Sequence, residues 1–134
     1  MNGSKSSDCP FCDVPPERVV DGTDLALVVE DAFPVSPGHT LILPRRHVPS
    51  YFDLSAAELM AVSELLLRAQ RRLATERSPS GFNVGINVGD AAGQTVMHAH
   101  VHLIPRYRGD VVDPQGGVRN VIPGRGRYSR AVPI

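Results

Sequence analysis

Three histidines occupy alternate positions in one apolar segment, Met97-His98-Ala99-His100-Val101-His102-Leu103-Ile104-Pro105. Side chains two residues apart on a β-strand point to the same face of a sheet. The alternation therefore predicts a strand that carries a row of imidazoles on one face, with Met97, Ala99, Val101 and Leu103 turned into a core. Neutral imidazole can be a base, a nucleophile, a hydrogen-bond relay or a metal ligand. Three in a row indicate a reactive site, and solvated side chains on an edge strand are the alternative.

Three further segments predict the rest of a sheet. Residues 25–30 and 39–43 are short apolar runs that end at turn-forming residues. Pro37-Gly38 marks a turn between these two segments. In residues 82–88, apolar side chains alternate with polar or small ones, which is the pattern of a strand with one buried face.

A long helix is predicted between the second and third of these segments. Ser55-Ala56-Ala57-Glu58 has the spacing of a capping box, and apolar residues then recur at helical spacing to about Glu76. The recurring residues are Leu59, Val62, Leu66, Ala69 and Leu73. Met60, Leu65 and Leu67 widen the apolar stripe, which indicates either a partner subunit or a deeply buried helix. The order of elements predicts an α+β fold, an antiparallel sheet with one long helix packed on it.

The length and charge of the chain exclude several classes of protein. At 134 residues we expect one domain, 1–134, that buries a core without covalent cross-links. The 14 basic and 14 acidic side chains cancel, so neither duplex nucleic acid nor an anionic membrane is expected as a partner. No apolar run approaches the length of a membrane span. The short polar segment 1–8 has no apolar signal region, so we expect a disordered N-terminus and a cytoplasmic protein.

The two cysteines, Cys9 and Cys12, form a C-x-x-C pair. They are too few and too close together for the disulfide framework of a secreted protein. In a reducing compartment such a pair is typical of half a tetrahedral zinc site or of a redox pair, and two unremarkable thiols are the third possibility. Pro15-Pro16 follows almost at once and leaves no helix after Cys12, which disfavours a thioredoxin-like redox site.

The loop before the histidine segment supplies groups that suit an anion. Gly93 allows a backbone conformation that other residues resist, or the close approach of a ligand. Gln94 and Thr95 place an amide and a hydroxyl beside the imidazoles. The sequence contains no Walker-type GxxxxGK[ST] motif, so a phosphate cradle of that kind is excluded.

The C-terminal segment 107–134 is polar and rich in arginine and glycine, and we expect it to be loosely structured. One interpretation is a flexible basic flap that folds over a polyphosphate, with residues 113–119 as its hinge and tip. A solvated terminal extension is the alternative. The arginines at the end of the chain are Arg106, Arg108, Arg119, Arg125, Arg127 and Arg130, against Asp110 and Asp113.

The histidine segment resembles the signature of the histidine triad (HIT) family, in which three histidines alternate with apolar residues and further apolar residues follow. His98-Ala99-His100-Val101-His102-Leu103-Ile104 matches every position of that signature. The flanking Ala92-Gly93-Gln94-Thr95-Val96 and Pro105-Arg106 are similar to the dinucleoside polyphosphate hydrolase and fragile-histidine-triad branches. The resemblance extends from Cys9 to about Arg106 and includes Pro37-Gly38-His39 and Asn87-x-Gly89.

This resemblance implies an enzyme that hydrolyses or transfers a nucleotidyl group at the α-phosphate of a dinucleoside polyphosphate, such as a diadenosine polyphosphate. His100 would attack phosphorus and form a nucleotidyl-histidine intermediate, while the backbone carbonyl of His98 fixes the tautomer of His100. His102 and Thr95 would lie close to the phosphate oxygens or the leaving group, and Gln94 would supply a further hydrogen bond. The step needs no organic cofactor and no metal, although the substrate could carry magnesium.

The resemblance also implies a nucleotide site and a homodimer. Asp31 matches the position that holds the ribose hydroxyls, and Asn87 matches an amide on the phosphate and ribose side. His39 borders the triad and completes its hydrogen-bond network, and Phe33 lines the base pocket. Gly93 with the two residues after it would lie beside the phosphate. Turn chemistry is the structural alternative for Asp31, and loop shape is the alternative for Asn87.

Certain bacterial members of the family complete a C-x-x-C pair with two histidines, at positions that match His47 and His98. The resemblance therefore implies a structural zinc site made of Cys9, Cys12, His47 and His98, since closed four-ligand sites are structural. If His98 is a zinc ligand it cannot also donate a proton, and its catalytic part is reduced to positioning.

Three alternatives for the function stay open. The chain could hydrolyse nucleoside phosphoramidates, although Gln94-Thr95-Val96 with Val88 departs from that branch and favours dinucleoside polyphosphates. It could be a zinc hydrolase in which His98, His100 and His102 bind one catalytic zinc. It could also be a nucleotide-binding zinc protein with little turnover. A phosphorylase would use the same attack, but such relatives usually lose the third histidine, which this chain keeps as His102.

Overall fold

The structure, a computed structural model, describes Ser6 and residues 8–128. Its five strands are β1 (Val19–Gly22), β2 (Ala26–Glu30), β3 (Thr40–Pro44), β4 (Gly81–Ile86) and β5 (Val101–Arg106). They form one antiparallel sheet in the order β1-β2-β3-β5-β4, and the helix α1 (Ala56–Arg77) connects β3 to β4. The predicted α+β architecture is confirmed. The prediction of a disordered segment 1–8 falls, apart from two residues, outside the described part of the chain.

Helix α1 begins at the predicted capping box. The Ser55 hydroxyl accepts a hydrogen bond from the Glu58 backbone N–H at 3.1 Å, and the Glu58 carboxylate accepts one from the Ser55 backbone N–H at 2.8 Å. The helix packs on one face of the sheet through Val62, Leu65, Ala69 and Leu73. The buried sheet residues in the same cluster are Ala26, Val28, Ile42, Val101 and Leu103.

The opposite face of the sheet is partly covered by the N-terminal segment. Leu27, Val29, Leu41 and Leu43 form a second buried cluster, against which Phe11, Val14 and Val19 pack. His102 is the partner of Leu41 in the register of β3 and β5. Because cross-strand partners share a face, His102 lies on the side of the sheet away from α1. This register places the triad next to the N-terminal segment.

The histidine segment is a strand only in its second half. β5 begins at Val101, so His98 and His100 lie in an irregular segment before it, and the prediction of a strand over them is wrong. The backbone N–H of Ala99 donates to the carbonyl of Val48 at 2.7 Å instead of joining the β3–β5 ladder. Ala99 is buried in the cluster beneath α1 as expected, but Met97 is 46% exposed and does not face the core.

Other differences from the predicted elements lie at the edges of the fold. Strand β1 was not predicted, because Asp21 and Gly22 interrupt its apolar residues. On α1, Leu65 belongs to the buried stripe, whereas Met60 and Leu67 are exposed. Within residues 8–128 the structure has no helix with the length and apolar character that crossing a membrane requires.

The chain after β5, predicted to be loosely structured, is held by two arginine–carboxylate pairs. Arg106 donates to both carboxylate oxygens of Asp110, at 2.8 and 2.9 Å. Arg127 donates to both oxygens of Asp113, at 2.6 and 3.2 Å, across a short 3-10 turn, Gly117–Val121. Both acidic residues named for this segment, Asp110 and Asp113, are thus paired with an arginine. Residues 129–134, including Arg130, lie outside the described residues.

Candidate active site

A cavity of about 440 Å³ opens on the sheet face away from α1. Its walls come from the N-terminal segment, the loop after β2 and the segment that leads into β5. The predicted site residues that line it are Asp31, Phe33, Asn87, Gly93, Thr95, His100 and His102. The structure therefore brings together side chains from four separate parts of the sequence.

His100 is held in one tautomer by the backbone. Its Nδ1 lies 2.7 Å from the carbonyl oxygen of His98, which can only accept, so Nδ1 carries the proton. The other ring nitrogen, Nε2, then has a free lone pair. The ring of Phe11 packs edge-on against the His100 ring, with centroids 5.0 Å apart. His100 therefore has the form that a nucleophile requires.

A chain of hydrogen bonds fixes the tautomer of His102 as well. The backbone N–H of Val35 donates to Nδ1 of His39 at 3.1 Å, so the proton of neutral His39 is on Nε2. This Nε2 lies 2.9 Å from Nδ1 of His102 and 3.4 Å from a carboxylate oxygen of Asp31. His102 therefore accepts through Nδ1 and presents Nε2–H as a donor. His39 itself is buried behind His102, as expected for a residue that completes the network.

Burial keeps these two imidazoles neutral. Burial, and then the neighbouring His100 and His39, lower the pKa of His102 from 6.5 to about 4, against the opposing charge of Asp31. Burial also lowers the pKa of His39, partly offset by the charge of Asp31. At neutral pH His102 is therefore an uncharged hydrogen-bond donor. It can donate Nε2–H to an anionic ligand.

Asp31 serves a turn and still lines the cavity. One of its carboxylate oxygens accepts from the backbone N–H of Phe33 at 2.8 Å, which is the turn chemistry considered above. The other lies near His39. Phe33 is 86% exposed at the rim of the cavity, where its ring is free to stack on a planar group.

Gln94 was predicted to contact a bound phosphate, but its side chain does not line the cavity. It is buried, and its amide nitrogen donates to the carbonyls of Pro49 and Val96, at 2.8 and 3.1 Å. Its amide oxygen accepts from the backbone N–H of Gly89 at 2.9 Å. All of these contacts hold the loop, so Gln94 shapes the cavity rather than lining it. Gly93, at φ +96°, and Thr95 do line it.

Six residues of the cavity wall were not predicted from the sequence, and Phe11 and Arg18 are the two with large side chains that matter most for a ligand. The six are Pro10, Phe11, Arg18, Ala32, Leu41 and Val96. Phe11 lies between Cys9 and Cys12. The position of an aromatic residue between two candidate metal ligands is the sequence feature that could have identified it. Arg18 donates to the carbonyl of Glu30 at 2.8 Å and lies beside the loop after β2. No pattern in the sequence pointed to Arg18.

Two cysteines and two histidines converge behind the cavity. Cys12 Sγ lies 3.1 Å from Nδ1 of His47 and 3.6 Å from Nδ1 of His98, and Cys9 Sγ lies 3.4 Å from Nδ1 of His98. A tetrahedral zinc ion holds sulfur and nitrogen ligands about 3.5 Å apart. His98 Nε2 donates to the carbonyl of Pro44 at 2.8 Å, which leaves Nδ1 unprotonated toward the sulfurs. The donor set and its spacing fit zinc.

This arrangement separates the three triad histidines. Nδ1 of His98 points to the cysteines, whereas Nδ1 of His100 is bonded to the His98 carbonyl and the His100 ring lines the cavity. His102 belongs to a different group, with Asp31 and His39, whose ligand atoms lie within 4.8 Å of one another. Because the three imidazoles do not converge on one point, the alternative of a catalytic zinc bound by all three is wrong.

Comparison with known proteins places the chain among HIT proteins. Residues 13–109 match the HIT domain. An uncharacterised HIT-like protein of Mycoplasma genitalium is 36% identical over 80% of this chain and 79% of its own length. An AP-4-A phosphorylase of Mycobacterium tuberculosis is 36% identical over 81% of this chain and 59% of its own. An asymmetrical bis(5'-nucleosyl)-tetraphosphatase of Schizosaccharomyces pombe is 40% identical over 66% and 48%.

Solved structures agree with these relatives. A HIT family protein from Bacillus anthracis superposes with a TM-score of 0.73 at 32% identity, over 78% of this chain and 77% of that one. A zinc-bound histidine triad family protein from Mycobacterium smegmatis superposes with a TM-score of 0.71 at 30% identity, over 79% and 80%. The fold and the family are the same, and relatives of this chain are named as enzymes.

Proposed function

The chain belongs to the HIT family, and from that premise we propose that it cleaves dinucleoside polyphosphates at the α-phosphate through a nucleotidyl-His100 intermediate. The observation that carries this proposal is the tautomer of His100, whose unprotonated Nε2 stands in a cavity with a neutral donor, His102, beside it. The two ring centroids are 5.0 Å apart, so one phosphate group can contact both.

In the first step, Nε2 of His100 bonds to the α-phosphorus while the bridging P–O bond breaks, and the electron pair leaves with the nucleoside polyphosphate. The His98 carbonyl accepts from Nδ1–H of the imidazolium that forms and so stabilises its charge. Nε2–H of His102 donates to the phosphate or leaving oxygen. In the second step, water adds to phosphorus, the P–N bond breaks, and the water proton passes to solvent. The products are a nucleoside monophosphate and a nucleoside polyphosphate.

The walls of the cavity suit the nucleoside of the retained half. The Asp31 carboxylate can accept from both ribose hydroxyls. Phe33 and Phe11 offer aromatic faces and edges to the base. Asn87 and Thr95 add neutral donors near the phosphate. The names of the relatives, AP-4-A phosphorylase and tetraphosphatase, favour this substrate class over phosphoramidates, although the same attack would serve a phosphoramidate.

Cys9, Cys12, His47 and His98 would hold a structural zinc ion. When bound, zinc supplies a cross-link and no step of the reaction. His98 then has two separate duties, because its ring binds the metal while its carbonyl holds Nδ1–H of His100. The N-terminal segment, including Phe11, is thereby fixed against the cavity.

The proposal includes a homodimer formed at the β4 edge of the sheet. Val84 and Ile86 on β4 are 44% and 37% exposed, although their register partners on β5, Leu103 and Val101, are buried. Helix α1 leaves this strip uncovered, and Met60 is also exposed on α1. Pairing with a second copy would cover the strip and the edge. Sedimentation should show a dimer that Val84→Lys dissociates, and a monomeric parent protein would refute this part.

Rapid quenching with diadenosine tetraphosphate, followed by intact-mass analysis, tests the reaction. The parent protein should carry one adenylyl group during turnover. His100→Gly should carry none and should lose at least about a thousandfold in rate, because the two-step route is removed. Met97→Leu, a change in the same segment but outside the cavity, is the control and should behave like the parent. Near-normal turnover by His100→Gly would disprove the proposal.

A further inference from the structure

A second cavity, of about 490 Å³, lies on the same face of the sheet beyond the candidate active site. We call it the distal groove. It is lined from β4 and β5 by Asn83, Ile104 and Arg106, and from the loop after β2 by Val35 and Ser36. Its other wall is the chain after β5, including Val111, Pro114 and Asn120. Ligand sites in proteins commonly enclose roughly 300–1,000 Å³.

The distal groove continues directly from the proposed phosphate position. Ile104 is two residues after His102 on β5, so the two side chains share a face about 7 Å apart along the strand. The register of β4 gives the same order, because Gly85 pairs with His102 and Asn83 pairs with Ile104. A polyphosphate bridge that starts at His100 and passes His102 therefore leads into the groove.

The outer wall of the groove is built from a defined segment. The Tyr107 hydroxyl donates to the carbonyl of Pro37 at 2.7 Å. This bond fixes the start of the segment to the loop after β2. The Asp113–Arg127 pair closes the segment into a loop. Gly116 packs against the backbone of Gly126, where a Cβ would collide with the carbonyl of Gly126. Most of this wall lies beyond residue 109, where the HIT domain match ends.

The lining favours a neutral, flat, polar group over a phosphate. Val35, Ile104 and Val111 offer apolar surfaces, and Val35 and Val111 are 71% and 47% exposed. The charge of Arg106 is matched by Asp110, and Arg106 also donates to Asn83 Oδ1 at 2.6 Å. This last bond orients the Asn83 amide nitrogen as a donor. The groove thus combines apolar walls with an amide donor and no free cationic charge, which are the features that bind a nucleobase.

We propose that the distal groove binds the second nucleoside of the substrate, the one that leaves with the polyphosphate. This inference rests on the proposed function, because it takes the bridge from His100 past His102. It assigns the preference for dinucleoside over mononucleoside polyphosphates to the segment after β5. A small or mononucleotide leaving group would not reach this groove.

The test is equilibrium binding to a His100→Ala protein, in which cleavage cannot confuse the readout. Diadenosine tetraphosphate is compared with adenosine 5'-tetraphosphate, which has the same phosphates but lacks the second nucleoside. We expect the dinucleotide to bind about tenfold more tightly. Val111→Trp should fill the groove and abolish this difference while leaving adenosine 5'-tetraphosphate unaffected. The Val111 side chain is 47% exposed, so the fold tolerates the change.

The matched control is Val112→Trp, since Val112 is fully exposed next to Val111 but does not line the distal groove. It should retain the tenfold difference. Equal binding of the two ligands to the unblocked protein would overturn the proposal, as would an equal loss for both ligands in Val111→Trp. Failure of the proposed function would be seen in a different experiment, as the absence of the adenylyl adduct in the parent protein. That result would not change the binding measurements described here.

Discussion

Three histidines within five residues have three different hydrogen-bonding states, and each state is set by a neighbour. A carbonyl of Pro44 fixes the proton of His98 on Nε2, and the carbonyl of His98 fixes that of His100 on Nδ1. His39 fixes the proton of His102 on Nε2 through its own bond from Val35. The three residues are chemically identical, so their roles differ because the hydrogen-bond partner of one ring nitrogen fixes what the other ring nitrogen can do.

The low pKa of His102 predicts a dependence of stability on pH. Burial, and then His100 and His39, lower this pKa from 6.5 in an exposed chain to about 4. The unfolded chain then binds a proton more readily than the folded protein, so the stabilising contribution is complete above pH 6.5 and is lost as the pH falls to about 4. The loss amounts to at most about 3.5 kcal/mol, since one pKa unit corresponds to about 1.4 kcal/mol.

Chemical denaturation of the parent and of His102→Asn, at about pH 7.5 and about pH 4.5, measures this effect. The parent should lose more free energy of unfolding between the two values than the variant does. His39 and His98 titrate in both proteins, so their contributions cancel in the comparison. Equal losses would show that His102 is not buried against its neighbours as described.

At the scale of elements, the start of α1 is tied to the end of β3 by one carboxylate. Glu58 caps Ser55 and also accepts two hydrogen bonds from Arg46, at 2.8 and 3.0 Å. Its hydrogen bonds to Arg46 lower its pKa from 4.5 to about 2. This stabilisation is therefore present above pH 4.5 and is lost as the pH falls toward 2.

Glu58→Gln should lower the free energy of unfolding by about 2 kcal/mol at neutral pH, because it removes a buried ionic partner of Arg46 and weakens the cap. Glu64→Gln on the same helix is the control. Glu64 is exposed and lies 3.9 Å from Arg68, so its replacement should change stability by less than about 0.5 kcal/mol. Thermal or urea unfolding distinguishes the two. Similar losses from both variants would contradict the role given to Glu58.

The elements that sequence predicts well are those whose signals are local. The apolar runs gave β2 and β3, and the capping box gave the first turn of α1. Gln94 shows what local patterns miss, because its direction depends on carbonyls of Pro49 and Val96 that only the folded loop brings near. Phe11 lines the cavity because the neighbouring Cys9 and Cys12 contact His47 and His98 and so hold the N-terminal segment against the sheet. The wall of the distal groove likewise depends on ion pairs whose partners no periodicity identifies.

At the scale of the whole molecule, the cysteine pair joins the N-terminal segment to the triad. Cys12→Ser should therefore abolish stoichiometric zinc binding and lower the free energy of unfolding of the purified protein by at least about 3 kcal/mol, because metal-binding energy is folding energy. Metal analysis and denaturation measure the two effects. Asp13→Ser, an exposed neighbour, is the control and should change neither. A Cys12→Ser protein that keeps one zinc per chain would rule out this ligand set.

The position of Phe11 makes the two centres of the molecule interdependent. Its ring touches the imidazoles of both His98 and His100 and forms part of the cavity wall, while its backbone spans the two thiols. Whatever a bound nucleotide contributes to ordering Phe11 also restrains the cysteines. If zinc and nucleotide bind as proposed, zinc would raise the affinity for nucleotide by the same factor by which nucleotide raises the affinity for zinc. Under the proposed function, a protein depleted of zinc would lose activity first at low substrate concentration, where occupancy of the two sites is most strongly linked.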